Sequence, residues 1–495
     1  MAEKSLLHTL ARFYNIQTIF WDAFGNLIHS PAEAILDVLR ILGAPVERMD
    51  DLPDALRQRQ QFLYHRAIEP VHIAWNGDPL RLKLRLPSQF AAAEPRYRIV
   101  LEDGELLEGS CHKDRGRRPA ERSVEGARYV TQVVIVPEKL PLGYHRLHFE
   151  IAGLGFDSHC LSSPLQAYRA EEGSDRQWGL FCPAYALLSA QTWGAGDFSA
   201  LQGLVDFANQ RGGHFVGTLP LLSAFLDEPF NPSPYAPVSR LFWNEFYLDI
   251  ASIPELRRCP AAEAMIHSGD VQTDLQSLRA APLIDYRRLM ALKRRVLEEL
   301  LQCLMSQASE RRQIFEQFAA TDPVAQDYAA FRAKVECERK PWAHWQAANR
   351  DGRLEAVDYD EKDKQYHLFV QWQARQQMSA LANRARAGGP SLYLDFPLGV
   401  NRDGYDVWRE REVFGLNASG GAPPDGFFTK GQNWGFPPLH PEGLRRQGYR
   451  YYIECLRHHL RHAGILRIDH VMGLHRFYWI PHGFAATEGV YVRYR

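Results

Sequence analysis

The hydrophobic period changes twice along this chain, and that succession limits the possible folds more than any single motif does. Within residues 1–67, apolar side chains recur at helical spacing, as in the run 34–42. Within residues 69–167 they alternate with polar ones, as in Arg81–Leu86, which is typical of strands with one buried face. From Trp178 onward, short apolar runs alternate with longer helical stretches, which indicates parallel strands joined by helices. The sequence therefore predicts a multidomain α/β protein.

These periods divide the chain into an N-terminal helical segment at 1–67, a β-sandwich at 69–167 and a (β/α) barrel region at 178–495, with a polar linker at 168–177. A helical insertion is expected at about 253–389. Because a TIM-type barrel has eight strands and four are recognisable, we expect only the first half of a barrel. The four candidate strands are Gly179–Phe181, Phe215–Pro220, Ser391–Phe396 and Ile465–Asp469.

Composition excludes several classes of function. The formal net charge of −1 gives no electrostatic reason to bind nucleic acid or an anionic membrane, and no apolar run approaches the ~20 residues of a membrane span. The seven cysteines contain no Cys-x-x-Cys pair, and no signal peptide is visible, so we predict a cytoplasmic protein with reduced thiols. The histidine spacings do not favour a metal site, and no organic cofactor is indicated. The oligomeric state stays open.

The segment Arg467-Ile468-Asp469-His470 follows an apolar run and reads as the carboxyl end of a buried strand. Active sites of (β/α) barrels lie at such strand ends. Side chains alternate along a strand, so Arg467 points to the same face as Asp469 and can hold this carboxylate ionised, as a nucleophile requires. A purely structural Arg–Asp pair is the alternative interpretation.

Loops after the other strands carry groups suited to sugars. Tyr235 lies in a loop stiffened by three prolines, and Asp395 ends the third strand. A Gly/Pro-rich loop offers the two amides Gln432 and Asn433 next to the indole of Trp434. Aromatic faces and amides together match the apolar faces and hydroxyls of sugar rings. Two structural alternatives are a rigid surface loop around Tyr235 and an orienting role for Asp395.

Five segments together resemble the 4-α-glucanotransferases (amylomaltase, or disproportionating enzyme) of glycoside hydrolase family 77. They occur in family order from residue 178 onward: Trp193-Gly194-x-Gly196-Asp197-Phe198, Ser233-Pro234-Tyr235, Gly421-Ala422-Pro423-Pro424-Asp425, Gly431-Gln432-Asn433-Trp434-Gly435 and Arg467-Ile468-Asp469-His470-Val471-Met472. The helices and sandwich before them also look like the extensions of longer bacterial members.

The resemblance implies that Asp469 is a covalent nucleophile with Arg467 as its partner. It also implies a substrate site, to which we assign Tyr235, Asp395, Trp434, Gln432, Asn433 and His470. The implied activity is the transfer of α-1,4-glucan segments between maltooligosaccharides by a retaining double displacement, without a metal or cofactor.

One expected part of this machinery has no counterpart in the sequence. A retaining enzyme needs two carboxylates about 5–5.5 Å apart, one to attack and one to protonate the leaving oxygen. In the family the second is the Glu of a Glu-Asp-Leu-Gly segment, and a third carboxylate lies in a later His-Asp pair; neither segment occurs before Arg495. We therefore expect a C-terminally truncated enzyme that is inactive, or nearly so, by itself.

Three other functions remain open at this stage. An α-amylase-type hydrolase would use the same nucleophile but transfer to water, and a non-catalytic glucan-binding protein would use the sandwich. The segment Phe20–Leu27 superficially resembles the first motif of haloacid-dehalogenase phosphatases, with Asp22 as the nucleophile. A turn between helices is the favoured interpretation of that segment, because no doubly wound domain follows it.

Overall fold

The computed structural model describes residues 2–114, 116, 118–168, 176–389 and 391–494, so most of the predicted linker at 168–177 lies outside the described residues. The N-terminal segment is helical in part only, because short strands interrupt the helices. Its elements are α1 (Ala2–Phe13), β1 (Ile16–Gln17), β2 (Ile19–Trp21), β3 (Leu27–His29), α2 (Ala32–Ile41) and α3 (Leu52–His65).

The segment around Asp22 is the turn of a two-stranded hairpin. The predicted turn is therefore present, but the elements on either side of it are strands and not the predicted helices. Strands β2 and β3 pair antiparallel, with Phe20 opposite Ile28. The Asp22 carboxylate accepts hydrogen bonds from the backbone N–H groups of Phe24 (2.9 Å) and Asn26 (2.7 Å), which closes the turn locally. Asp22 therefore lies in the turn of an exposed hairpin, and the described residues around it form no doubly wound sheet. Both observations disfavour the phosphatase alternative.

The sandwich consists of two sheets whose apolar faces meet. One sheet has the order β5-β10-β8, with β9 also paired to β10, and the other has the order β4-β12-β11-β6-β7. Leu80, Leu82, Leu84 and Leu86 all point inward, as the alternating sequence predicts. The strands are β4 (Val71–Trp75), β5 (Leu80–Pro87), β6 (Arg96–Val100), β7 (Leu106–Ser110), β8 (His112–Lys113), β9 (Ala120–Val124), β10 (Ala127–Val136), β11 (Gly143–Ile151) and β12 (Leu154–Ser163).

A four-stranded parallel sheet with the order β13-β14-β17-β20 follows, so the predicted parallel α/β arrangement is present and the fold class is confirmed. Helix α4 connects its first two strands and begins at Asp197, whose carboxylate accepts from the N–H of Ala200. A small β15–β16 hairpin follows the second strand. The elements are β13 (Gly179–Phe181), α4 (Phe198–Asn209), β14 (Phe215–Gly217), β15 (Phe225–Leu226), β16 (Phe230–Asn231), β17 (Ser391–Phe396) and β20 (Ile465–Ile468).

Among the described residues between the second and third parallel strands, where a helical insertion is predicted, there are seven α-helices. The helices are α5 (Pro260–Ile266), α6 (Gly269–Ala280), α7 (Tyr286–Ser306), α8 (Glu310–Thr321), α9 (Pro323–Glu338), α10 (Ala347–Arg350) and α11 (Glu361–Gly388). The longest of them, α11, packs its buried residues against α7, α8, α9 and α4. Within the described ranges, no helix has the length and apolar character that crossing a bilayer requires.

A second sheet joins the two ends of the chain, which the sequence did not predict. It has the order β1-β22-β21-β18-β19, and Ile16 of the first strand lies opposite Val492 of the last. Helices α1 and α2 cover it, burying Leu10 and Leu39 in one core with Phe477 and Trp479. The remaining elements are α12 (Tyr405–Arg409), β18 (Ala418–Ala422), β19 (Gln432–Asn433), α13 (Pro441–Arg446), α14 (Arg450–Leu460), β21 (Arg476–Pro481) and β22 (Val490–Arg493).

Candidate active site

The register of the last two parallel strands brings the predicted catalytic residues next to Asp395, which was predicted to bind substrate. Asp395 of β17 lies opposite Arg467 of β20, and the backbone N–H of Asp469 donates to the carbonyl of Phe396 at 3.0 Å. Both strands therefore end at the same edge of the sheet, where their polar side chains lie side by side.

Arg467 bridges two carboxylates at this edge. Its Nη1 donates to both oxygens of Asp395, at 2.6 and 2.8 Å, and its Nη2 donates to Oδ1 of Asp469 at 2.7 Å. The hydrogen bonds to Asp395, followed by the charges of the two carboxylates, raise the pKa of Arg467 above its usual value. Asp395 is buried, whereas 27% of the Asp469 side chain is exposed. Asp469 is thus oriented on one side and open on the other.

Tyr235 extends this chain of hydrogen bonds. Its hydroxyl donates to Oδ2 of Asp395 at 2.7 Å. Desolvation first, and then the bond to Asp395, raise the pKa of Tyr235 to about 12, so the phenol stays protonated and donating at neutral pH. The predicted loop residue therefore reaches the predicted strand-end residue, and through Arg467 it is linked to Asp469.

Aromatic rings form a wall beside Asp469. The ring of Trp434 lies nearly parallel to that of Phe436, with centroids 6.0 Å apart and planes 18° apart, and also stacks on Phe477. The imidazole of His470 meets the Trp434 ring edge-on, with the two ring centroids 5.2 Å apart. The backbone of His470 is left-handed (φ 46°), which turns the chain sharply after the strand. We call these four residues the aromatic wall.

A cavity of about 450 Å³ opens between the wall and the Tyr235 loop. Asp469 is the one carboxylate among the described residues that line it. Burial lowers the pKa of the neighbouring His470, so this ring is neutral at pH 7. The lining residues are Ser233, Tyr235, Ala236, Leu398, Gly399, Trp434, Phe436, Asp469 and His470.

Four predicted site residues are not among those that line this cavity: Arg467, Asp395, Gln432 and Asn433. Asp395 is covered by Arg467 and Tyr235, which favours the orienting role that the sequence left open. Gln432 accepts from the indole N–H of Trp434 at 3.2 Å, and Asn433 accepts from the N–H of Gly435 at 3.0 Å. The two amides thus shape the loop that carries the indole.

Five lining residues were not predicted from the sequence: Ser233, Ala236, Leu398, Gly399 and Phe436. For Phe436 a usable signal was its place in the same Gly/Pro-rich loop, two residues after the predicted Trp434. Leu398 and Gly399 had no such signal. Among the described residues, no group of three or more His, Cys, Asp or Glu side chains is placed to hold a metal ion.

Comparison with known proteins places this chain in a family. A family model described as 4-alpha-glucanotransferase matches residues 182–495, and one described as the MalQ N-terminal beta sandwich domain matches residues 67–161. The chain is 30% identical to a 4-alpha-glucanotransferase of Haemophilus influenzae over 96% of its own length and 66% of that protein. It is 29% identical to one of Mycobacterium bovis over 98% of its own length and 68% of that protein.

Solved structures agree with this placement. The crystal structure of amylomaltase from Corynebacterium glutamicum superposes with a TM-score of 0.84 at 26% identity, covering 99% of this chain and 69% of that one. Amylomaltase from Streptococcus agalactiae in complex with acarbose shares the fold with a TM-score of 0.54 at 24% identity, over 65% of this chain and 64% of that one. The chain spans about two thirds of the length of the curated relatives it matches.

Proposed function

Because this chain belongs to the 4-alpha-glucanotransferase family of glycoside hydrolases, we propose that its site transfers segments of α-1,4-glucans between maltooligosaccharides. The observation that carries this proposal is the linked set Tyr235–Asp395–Arg467–Asp469 at the edge of a sugar-sized, aromatic-walled cavity. Asp469 is the proposed nucleophile, because it alone among these carboxylates is both oriented and open to the cavity.

In the proposed first step, an oxygen of Asp469 attacks the anomeric carbon of a bound glucan. A bond forms between this oxygen and C1, the C1–O4 bond breaks, and the departing O4 takes a proton from water, leaving a β-glycosyl ester on Asp469 and a hydroxide ion. In the second step the 4-hydroxyl of another glucan attacks C1, gives its proton to hydroxide and releases Asp469. Two inversions restore the α-linkage.

Arg467 supports this chemistry electrostatically. Its guanidinium donates to Oδ1 of Asp469 and so fixes the direction of this carboxylate for the attack, and Asp395 fixes the guanidinium from behind with two hydrogen bonds. Tyr235 in turn holds Asp395. We propose that Tyr235, Trp434 and His470 also contact sugar rings, because all three line the cavity. Gln432, Asn433 and Asp395 act through the residues they orient.

Proton donation to the departing O4 is the step for which the described lining residues supply no carboxylic acid. Glu488, the acid nearest to the end of the sequence, lies in a short turn and accepts from the N–H of Ala485 at 2.9 Å, and it does not line the cavity. General acid catalysis contributes ~10²–10⁴ in rate. We therefore expect the 495-residue chain to react slowly with natural glucans, whose leaving oxygen needs a proton. Donors whose leaving group needs no proton can still form the ester.

Location and partners are proposed on the same basis. All seven cysteines are free, which supports a reducing cytoplasm. The proposed partners are maltooligosaccharides and longer α-1,4-glucans. Membership of the family favours transfer over hydrolysis. The oriented carboxylate of Asp469 favours a catalytic protein over a non-catalytic glucan-binding protein.

A donor that needs no acid tests the nucleophile directly. Treating the chain with 5-fluoro-α-maltosyl fluoride should esterify Asp469, since fluoride leaves without a proton and the ring fluorine slows breakdown of the ester. Mass spectrometry of the digested protein should find the added sugar on the peptide that contains Asp469. Asp469→Asn should lower labelling by several orders of magnitude and leave the thermal unfolding curve nearly unchanged.

Glu488→Gln is the matched control and should label at the normal rate. Labelling of any other residue, or equal labelling of Asp469→Asn, would show that the assignment is wrong. With α-maltosyl fluoride as donor and maltotriose as acceptor, longer maltooligosaccharides indicate transfer. Maltose as the one product would instead favour the hydrolase alternative.

A further inference from the structure

Phe436 is a residue of the aromatic wall that lines the cavity and has no role in the proposed double displacement. It lines the cavity next to Trp434 and is half-buried, so part of its ring faces the open space. The ring planes of the two residues differ by 18°. Together they place two nearly parallel aromatic rings in the lining of the cavity that contains Asp469.

The backbone explains why both rings point into the cavity. The N–H of Trp434 donates to the carbonyl of Gly420 at 2.9 Å, and the N–H of Gly420 donates to the carbonyl of Phe436 at 2.8 Å. These two bonds to a single residue of β18 hold the bend between residues 434 and 436 in place, and both side chains line the cavity. Gly435, in a left-handed conformation (φ 77°), lies between them and exposes no side chain there.

Two glycines make room for the Phe436 ring. A Cβ atom on Gly399 would clash with this ring, and one on Gly420 would lie 2.8 Å from its Cε2. Behind it, the buried ring of Phe477 lies parallel to Phe436 within 9°. Phe477 belongs to the core formed with helices α1 and α2, so the wall is fixed from the rear. The ring is held in one orientation before any ligand arrives, which lowers the entropic cost of stacking.

From this geometry we propose that Phe436 is a sugar-stacking residue that determines how well a maltooligosaccharide long enough to pass Trp434 is bound. The inference rests on the proposed function, since it names a further contact for the same glucan. The chemical reason is that the C–H faces of glucose rings are apolar, and a flat preorganised ring buries them without leaving a hydroxyl unpaired. Asp469 needs no contribution from Phe436 for its own attack.

Equilibrium binding of maltoheptaose and maltose to the full chain separates stacking from packing. Phe436→Leu keeps an apolar side chain against Gly399 and Phe477 but removes the flat ring. We expect it to weaken maltoheptaose binding roughly tenfold, to change maltose binding much less, and to leave the unfolding temperature within a few degrees. Phe436→Trp should restore the affinity. Phe207→Leu, at an exposed position on α4, is the matched control and should bind both sugars normally.

Equal affinities of Phe436→Leu and the wild type for maltoheptaose, or equal losses for both sugars, would overturn the inference. Esterification of Asp469 by 5-fluoro-α-maltosyl fluoride is measured on the same variants. If Phe436→Leu is labelled normally but binds maltoheptaose normally too, the stacking inference fails and the proposed function stands. If the wild type binds glucans but is never labelled, the proposed function fails instead.

Discussion

The β-sandwich and the parallel sheet of this protein both contain Arg–Asp pairs, but they use them differently. In the sandwich, Arg81 pairs with Asp114 at 2.8 Å, and the arginine side chain is 60% exposed. In the parallel sheet, Arg467 is shared between a buried carboxylate and an open one. An exposed pair contributes ~0–1 kcal/mol to stability, whereas the second arrangement orients a reactive group. The site is therefore marked by the ends of the parallel strands and not by the presence of an ion pair.

Replacing each of these two arginines should affect the esterification of Asp469 very differently. Arg467→Met should slow esterification of Asp469 by roughly 10²–10³-fold, because it removes a preorganised donor from the reacting carboxylate. Arg81→Met should leave the rate unchanged. Stopped labelling reactions quantified by mass spectrometry measure both. Similar rates for the two variants would remove the proposed distinction between the regions.

The sandwich should instead respond in stability. Phe149 of β11 is fully buried between the sheets, and Phe149→Ala should destabilise the sandwich by about 3–5 kcal/mol through lost burial and a cavity. Urea unfolding followed by circular dichroism measures this loss. At low urea, where the variant is still folded, the affinity for maltoheptaose should equal that of the wild type. A large loss of affinity there would show that the sandwich supports the sugar site directly.

A smaller effect tests the far end of the hydrogen-bonded set. Tyr235→Phe keeps the ring in the cavity but removes the hydroxyl that holds Asp395, so esterification should slow by roughly tenfold, as for loss of a hydrogen bond to a charged group. Tyr235→Ala should in addition weaken oligosaccharide binding. Unchanged labelling in Tyr235→Phe would show that Arg467 alone suffices to orient Asp395.

The weakest effect that we predict is a pH dependence of stability, to which one histidine of the sandwich and one of α14 contribute. Burial lowers the pKa of His72 in the sandwich and of His459 in α14 to about 4. Because these folded-state values lie below the unfolded value near 6.5, the unfolded chain binds protons first, and stability falls as the pH drops from about 6.5 towards 4. Between pH 7 and 5.5 each histidine should lower the free energy of unfolding by roughly 1 kcal/mol.

Urea midpoints at pH 7 and 5.5 measure this loss. His72→Gln has no titrating ring, so its midpoint should depend less on pH than that of the wild type. An equal pH dependence in both proteins would show that His72 is not kept neutral by burial. His148, which is exposed and bonded to Asp157, offers a control position on the same sandwich.

Local patterns were sufficient for much of this architecture. Strict alternation placed the leucines of β5 inward, and continuous apolar runs predicted β13 and β17 with their observed bounds. The resemblance of five segments identified the family that the comparisons then confirmed. Asp469 and Arg467 could be predicted as neighbours because the two-residue period of a strand sets which side chains share a face.

Contacts between distant parts of the chain could not be predicted in this way. The pairing of β1 with β22 joins residues at opposite ends of the sequence, and the Asp22 hairpin shows how a local turn signal leaves its flanking elements undecided.

What the sequence determined by itself was the class of each segment and the chemistry of the strand ends, because hydrophobic period and residue type act over a few neighbours. Only the tertiary structure decided that Asp395 lies behind Arg467, that Gln432 and Asn433 shape a loop, and that Phe436 lines the cavity. Those outcomes depend on strand register and on which surfaces pack together. Both are set by burial across the whole chain, and no short segment encodes them alone.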